Sequence, residues 1–107
     1  KTDYYIKGAK ITGWEDEYSD KTRFTEENGI YTLAATLEKD DEFMFTSMVT
    51  VGDSTTVGTE YLRFTNLDEA SAALFTGLEN GNIVVNEGGD CTFTYDPSTT
   101  VLTASKQ

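Results

Sequence analysis

In the run YTLAATLE, Tyr31, Leu33, Ala35 and Leu37 fall on one face while Thr32, Ala34, Thr36 and Glu38 fall on the other. That period of two is the signature of a half-buried strand. The same alternation runs through DYYIK near the start and through EFMFTSMVTV, where Phe43, Phe45, Ser47, Val49 and Val51 share a face. It continues in EYLRFT, which sets Tyr61 and Arg63 against Leu62 and Phe64, and in NIVVN, CTFTY and TVLTAS. Between these runs stand EENG, EKDD, VGDS, ENGN, EGGD and DPST, clusters of Gly, Asn, Asp or Pro where the chain must reverse. One helical pattern interrupts the series. Asn66 is placed to cap it with Glu69 three residues on, and Leu67, Ala70, Ala73 and Leu74 supply one apolar stripe. Seven or so short strands with these turns predict an all-β fold, an antiparallel β-sandwich of immunoglobulin-like type with one short helix, closed by the hairpin CTFTYDPSTTVLTAS.

Length and charge narrow the function. A chain of 107 residues is read as a single domain, 1–107, able to bury about two-thirds of its unfolded surface. Nineteen acids against eight bases give a net charge of -11, which repels phosphate backbones and anionic membrane surfaces, so nucleic acid is not an expected partner. Membrane insertion is not expected either, because no apolar run approaches the ~20 residues that cross a bilayer. The first residue is Lys1 rather than Met, and the expectation is a module excised from a larger multidomain protein. With no histidine and one cysteine, His-based metal sites, Ser/His/Asp triads, Cys/His pairs and thiolate clusters are excluded, and neither a metal nor another cofactor is expected. Cys91 shares its alternating face with Phe93 and Tyr95 and is expected to be buried.

The chemistry is concentrated in TGWEDEYSDKTRF, which holds the only tryptophan, Trp14, among three consecutive acids. A pyranose ring presents a face of slightly positive C–H groups, complementary to the negative face of an aromatic ring, and a rim of hydroxyls that need directional partners. Trp14 offers the largest such face, and Tyr18 lies four residues on, where a curved loop can set its ring at an angle to the indole. Lys21 and Arg23 can donate to hydroxyls; Glu15, Asp16, Glu17 and Asp20 can accept from them. The competing reading is structural: Trp14 and Tyr18 cover the open end of the sandwich, and Lys21 and Arg23 only pair with the neighbouring acids.

A resemblance tips the balance toward the platform. Gly8, Gly13-Trp14, Gly29-Ile30-Tyr31, Phe43-Met44-Phe45, Asn82-Ile83-Val84-Val85, Gly88-Gly89 and FTYDPSTTVLT follow one another as in starch-binding modules of gut bacteria. The sequence is similar to the SusE/SusF-like domains and to related β-sandwich modules appended to amylases and pullulanases. The resemblance implies a non-catalytic carbohydrate-binding module that takes starch or maltooligosaccharide on an aromatic platform. It also implies a secreted or cell-surface location, with tandem modules or a catalytic domain in the same chain. Two positions depart from the pattern: Met44 stands where such modules often carry a sugar-contacting Lys, and Cys91 where a strand aromatic is common. In the least matched stretch, Thr50 to Leu78, Tyr61 is the candidate second aromatic on chemical grounds. The site expected is therefore Trp14, Tyr18, Lys21, Arg23 and Tyr61. An enzyme is not expected, since acids are too abundant for one carboxylate pair to stand out as a glycosidase requires. The alternative is a calcium-organised cell-surface adhesion or spacer module, although no D-x-D-x-D-G loop is present.

Overall fold

The computed structural model describes residues 1–8, 22–59 and 62–106. These form two antiparallel sheets packed face to face, an all-β sandwich with one short helix. The first sheet contains β1 (Thr2–Gly8), β4 (Glu42–Val51), β5 (Ser54–Val57), β6 (Phe75–Gly77) and β7 (Ile83–Val85). The second contains β2 (Thr25–Glu27), β3 (Ile30–Leu37), β8 (Gly89–Asp96) and β9 (Val101–Lys106). In the second sheet the order is β2-β3-β8-β9; in the first it is β1-β4-β7-β6, with β5 also paired to β4.

Strand β4 is the spine of the first sheet. Along one side it pairs with all of β1, from Thr2 opposite Val49 to Gly8 opposite Phe43. Its other side is shared by β7 at Glu42 and Phe43, by Leu62 in a single bridge to Phe45, and by β5 from Met48 to Val51. Gly8 is required where β1 ends, because a Cβ there would lie 2.6 Å from both the Glu42 carbonyl oxygen and the Phe43 Cβ. In the second sheet the β2–β3 hairpin turns at Asn28 and Gly29, whose φ angles of 54° and 85° are those of the tight turn that asparagine and glycine favour.

Alternation sends one side chain in two from each sheet into a common core. Tyr4, Ile6, Phe43, Phe45, Phe75, Ile83 and Val85 meet Leu33, Leu37, Cys91, Phe93, Tyr95 and Leu102. Phe93 is the centre, edge-on to Phe43 at 5.8 Å and to Phe45 at 5.0 Å, and stacked on Phe75 at 6.1 Å. Tyr4 joins the sheets at the other end through rings of Tyr31 and Tyr95, 4.9 and 5.1 Å away. Burying each such phenyl ring contributes on the order of 2 kcal/mol.

Four expectations need correction. The run EYLRFT is not a strand among the described residues beyond the bridge at Leu62, since Phe64–Asn66 is a 3-10 turn. The helix is shorter and starts later, Glu69–Ala72, with Asp68 as its cap accepting from the Ser71 N–H, because Asn66 is already committed to the preceding turn through the Arg63 N–H. Ala70 and Ala73 are exposed as a result. Val51 shares the parity of Phe43 and Phe45 but is 73 % exposed.

Closure of the β6/β9 side explains what that helix is for. Leu67 bridges Leu102 in parallel, Asp68 N–H donates to the Leu102 carbonyl, and Asn66 Nδ2 donates to the Thr100 carbonyl. Ser71 then acts as a one-residue substitute strand: its Oγ accepts from Ala104 N–H at 2.8 Å and donates to the Ala104 carbonyl at 3.3 Å. The backbone of β9 is thereby satisfied along an edge that would otherwise offer unpaired groups to another chain.

Candidate functional site

Of the five residues expected at the site, Arg23 is described; Trp14, Tyr18, Lys21 and Tyr61 lie outside the described residues. Arg23 is exposed and sits directly opposite Tyr5 on the free side of β1. Ile6 N–H donates to the Thr22 carbonyl at 2.9 Å and Phe24 N–H to the Tyr4 carbonyl at 2.8 Å, so Thr22–Phe24 lies along β1 as an added strand segment. Phe24, next in line, turns inward and packs its ring against Phe45 at 5.4 Å. The chain between Gly8 and Thr22 is therefore anchored at both ends on one strand, with its exit and its return held within a few residues of each other.

That anchoring fixes which face Arg23 shares. Tyr4 and Ile6 point into the core, so Tyr5, Lys7 and Arg23 point to the opposite face of the first sheet. Thr46 stands across β4 from Tyr5, and Met44 across from Lys7. Tyr5 is buried, 8 % exposed, but on this outer face and not between the sheets. Thr46 is 2 % exposed on the same face. Sequence parity carried the signal that Tyr5 opposes Tyr4 and Ile6, yet nothing in one strand's own pattern tells which of two adjacent tyrosines faces the core.

Lys7 bears on the departure at Met44. The register places Lys7 on the same face as Met44 and next to it. Lys7, Lys10, Lys21 and Arg23 are four of the eight basic residues in a chain of net charge -11, and they fall within one stretch of sequence that begins and ends on β1.

A concavity lies at the end of the sandwich where β3 finishes and β8 begins. It is a cavity of about 310 Å³, with Leu37, Leu74, Phe75 and Cys91 on its walls and Glu87 and Lys106 among its polar lining. Lys106 Nζ is 3.2 Å from Glu87 Oε2. Burial pushes the Cys91 thiol up from its ordinary value of 9.0, and a backbone hydrogen bond at Ser105 and the charge of Lys106 oppose this only in part. The thiol stays neutral there, a small hydrophobe and a poor nucleophile. Among the described residues, no three His, Cys, Asp or Glu side chains converge as a bound cation would need.

No protein-family model matches the chain, and no curated protein matches it. The described residues include no helix long and apolar enough to cross a membrane.

Proposed function

We propose that this chain is a non-catalytic carbohydrate-binding module for starch or related α-glucans, carried by the segment between Gly8 and Thr22 and by the outer face of the first sheet beside it. The observation that supports this most is the mounting of that segment. Its two ends are pinned on β1, and the residue that follows it, Arg23, joins Tyr5 and Lys7 on a face turned away from the core. Trp14 and Tyr18 supply the stacking faces, Lys21, Arg23 and Lys7 the donors, and the acids of the segment the acceptors; Tyr61 is a further proposed aromatic. The sequence resemblance to starch-binding modules points to the same ligand and to a secreted or surface-anchored parent of the kind found in gut bacteria. One site of two or three aromatics is weak alone, so tandem modules in the parent chain would add avidity through effective concentration.

Affinity electrophoresis against starch, glycogen, dextran and cellulose tests the reading. Retardation by the α-1,4-glucans alone is the expected result, and unaltered migration on all four gels would refute it. Because hydroxyls release few counterions, affinity should stay nearly flat between low and physiological salt. Chelation with EDTA should also leave it unchanged; a steep loss would favour a calcium-organised adhesion module instead.

A further inference from the structure

The inner face of the second sheet has one row that large side chains do not fill. Tyr31, Tyr95 and Leu102 stand side by side across β3, β8 and β9, and Leu33, Phe93 and Ala104 follow them. The next row is Ala35, Cys91 and Lys106, and beyond it Leu37 stands opposite Gly89, which has no side chain. Two small residues, a charged one and a glycine leave open the space that aromatic rings take up one row earlier. Close-packed interiors hold few voids larger than a water molecule, yet here the result is the cavity of about 310 Å³ between Leu37, Leu74, Phe75 and Cys91.

Lys106 is the residue that sets the chemistry of this space. Residues directly opposite in an antiparallel pair share a face, so the register with Cys91 puts Lys106 on the inward side of β9, the side on which Leu102 is wholly buried. An ammonium group at such a position must be paired or reach water. It does both: Nζ donates to Glu87 Oε2 at 3.2 Å, and the lysine side chain is 31 % exposed. The partner is placed differently, because the Glu87 side chain is 83 % exposed and reaches the lysine from solvent. An ion pair so open to water contributes little, which makes Glu87 a partner that another carboxylate can replace.

We propose that this cavity binds a small monocarboxylic acid, whose apolar ring or branched chain lies between Leu37, Leu74, Phe75 and Cys91 and whose carboxylate takes the place of Glu87 on Lys106. Apolar walls with a few convergent polar groups are the form of small-molecule sites, and the volume, at the low end of their ~300–1,000 Å³ range, suits a single ring or a short branched chain. Charge selects the head group. An amine would be repelled by Lys106, and a neutral molecule would gain nothing from it. A second negative charge would find no second cation among the described lining residues and would meet Glu87 instead. The chain's net charge of -11 disfavours anions at a distance, but salt screens it beyond ~8 Å at physiological strength, so contact with Lys106 decides.

Titration of the nitrogen-15-labelled chain at neutral pH with benzoate, 4-methylpentanoate and the neutral isostere benzamide, followed by amide chemical shifts, tests this. Both acids should give saturable shifts at Leu37, Leu74, Cys91 and Lys106, with benzamide at least tenfold weaker than benzoate. No saturable shift from either acid, or benzamide binding as tightly as benzoate, overturns the proposal. Lys106→Met keeps most of the stem and removes the charge, so in a chain that still unfolds cooperatively it should lower benzoate affinity at least tenfold; undiminished affinity refutes the role of Lys106. Glu87→Gln removes the competing carboxylate and should raise benzoate affinity several-fold, a gain that misfolding cannot imitate. Unchanged or lower affinity in that variant would show that ligand and Glu87 do not exchange on Lys106, and the proposal would fall.

Discussion

The outer faces of the two sheets are built on the same pleat and read very differently. On the second sheet Thr25, Thr32, Thr94 and Thr103 stand in register across all four strands, and Ala34, Thr92 and Ser105 form the next row. Exposure runs through both rows, complete at the edges and partial on the central β8. On the first sheet the corresponding rows are Arg23–Tyr5–Thr46 and Lys7–Met44, and Tyr5 and Thr46 are buried although they point away from the core. The threonine face is what exposed strand positions become when β propensity alone selects them: β-branched, uncharged, interchangeable. Propensity does not select a buried tyrosine between an arginine and a threonine on the outside of a sheet. The difference is that the second sheet has a solvated outer face, whereas the first sheet buries Tyr5 and Thr46 on its own.

Both faces hang on one core, so the largest effect should abolish the comparison altogether. Phe93 touches Phe43, Phe45 and Phe75 and is wholly buried. Phe93→Ala should cost about 3–5 kcal/mol of unfolding free energy, much of what a domain of this size has to spend. Chemical denaturation followed by tryptophan fluorescence would measure it, and a loss under ~1 kcal/mol would mean the sheets do not depend on that contact.

Loss of the platform is next in size. Trp14→Ala should weaken glucan retention by about thirtyfold or more, the ~2 kcal/mol expected of a stacking anchor, with cooperative unfolding retained. A variant that loses the fold along with binding would show Trp14 to be structural, and the two readings of that residue would then be decided against a platform.

A matched pair of substitutions sharpens the contrast between the faces. Arg23→Ala should lower glucan affinity several-fold, about 1 kcal/mol for one hydrogen-bond donor at a wet site, while Thr94→Ala should change affinity by less than twofold. Isothermal titration with maltoheptaose on both variants is sufficient. Equal losses would mean that ligand reaches the threonine face, and no loss from Arg23→Ala would remove Arg23 from the proposed site.

How much of this was legible in sequence follows from what periodicity can carry. Alternation marked Tyr31, Leu33, Ala35 and Leu37 as the inner face of β3, and Phe93 with Tyr95 as that of β8, because each strand has one solvated side and the contrast is strong. It passed over β2, β5 and β6. Thr25–Glu27 and Ser54–Val57 bury nothing on either face, and Phe75–Gly77 is too short to repeat. Tyr5 shows a different limit. Where both faces of a strand are buried, period two disappears, and DYYIK offers adjacent tyrosines that only the partner strands distinguish. The helix start was missed by two residues because Asn66 and Asp68 are both good caps, and tertiary bonding to Arg63 and Thr100 decided which one was left for the helix.

Cys91 allows the smallest effect to be predicted on the inner side of the threonine sheet. Its partners place it opposite Ala35 on β3 and Lys106 on β9, and it is 2 % exposed. Because burial raises the thiol's pKa in the folded state, the folded chain holds this proton to higher pH than the unfolded chain does. The stability that results is fully present below the unfolded thiol's pKa, and it is lost as pH rises from there through the folded value. Unfolding free energy should therefore fall as pH is raised above about 9, and Cys91→Ala should remove that part of the slope while lowering stability at neutral pH through the lost side-chain volume. Denaturant titrations of both chains at pH 7 and pH 10 give the comparison. Labelling with a thiol reagent checks the premise, since Cys91 should react slowly in the native protein and fast in denaturant, and maltooligosaccharide should not protect it. Parallel pH slopes for the two chains, or prompt labelling of the folded protein, would show that the thiol ionises as freely inside the sandwich as outside it.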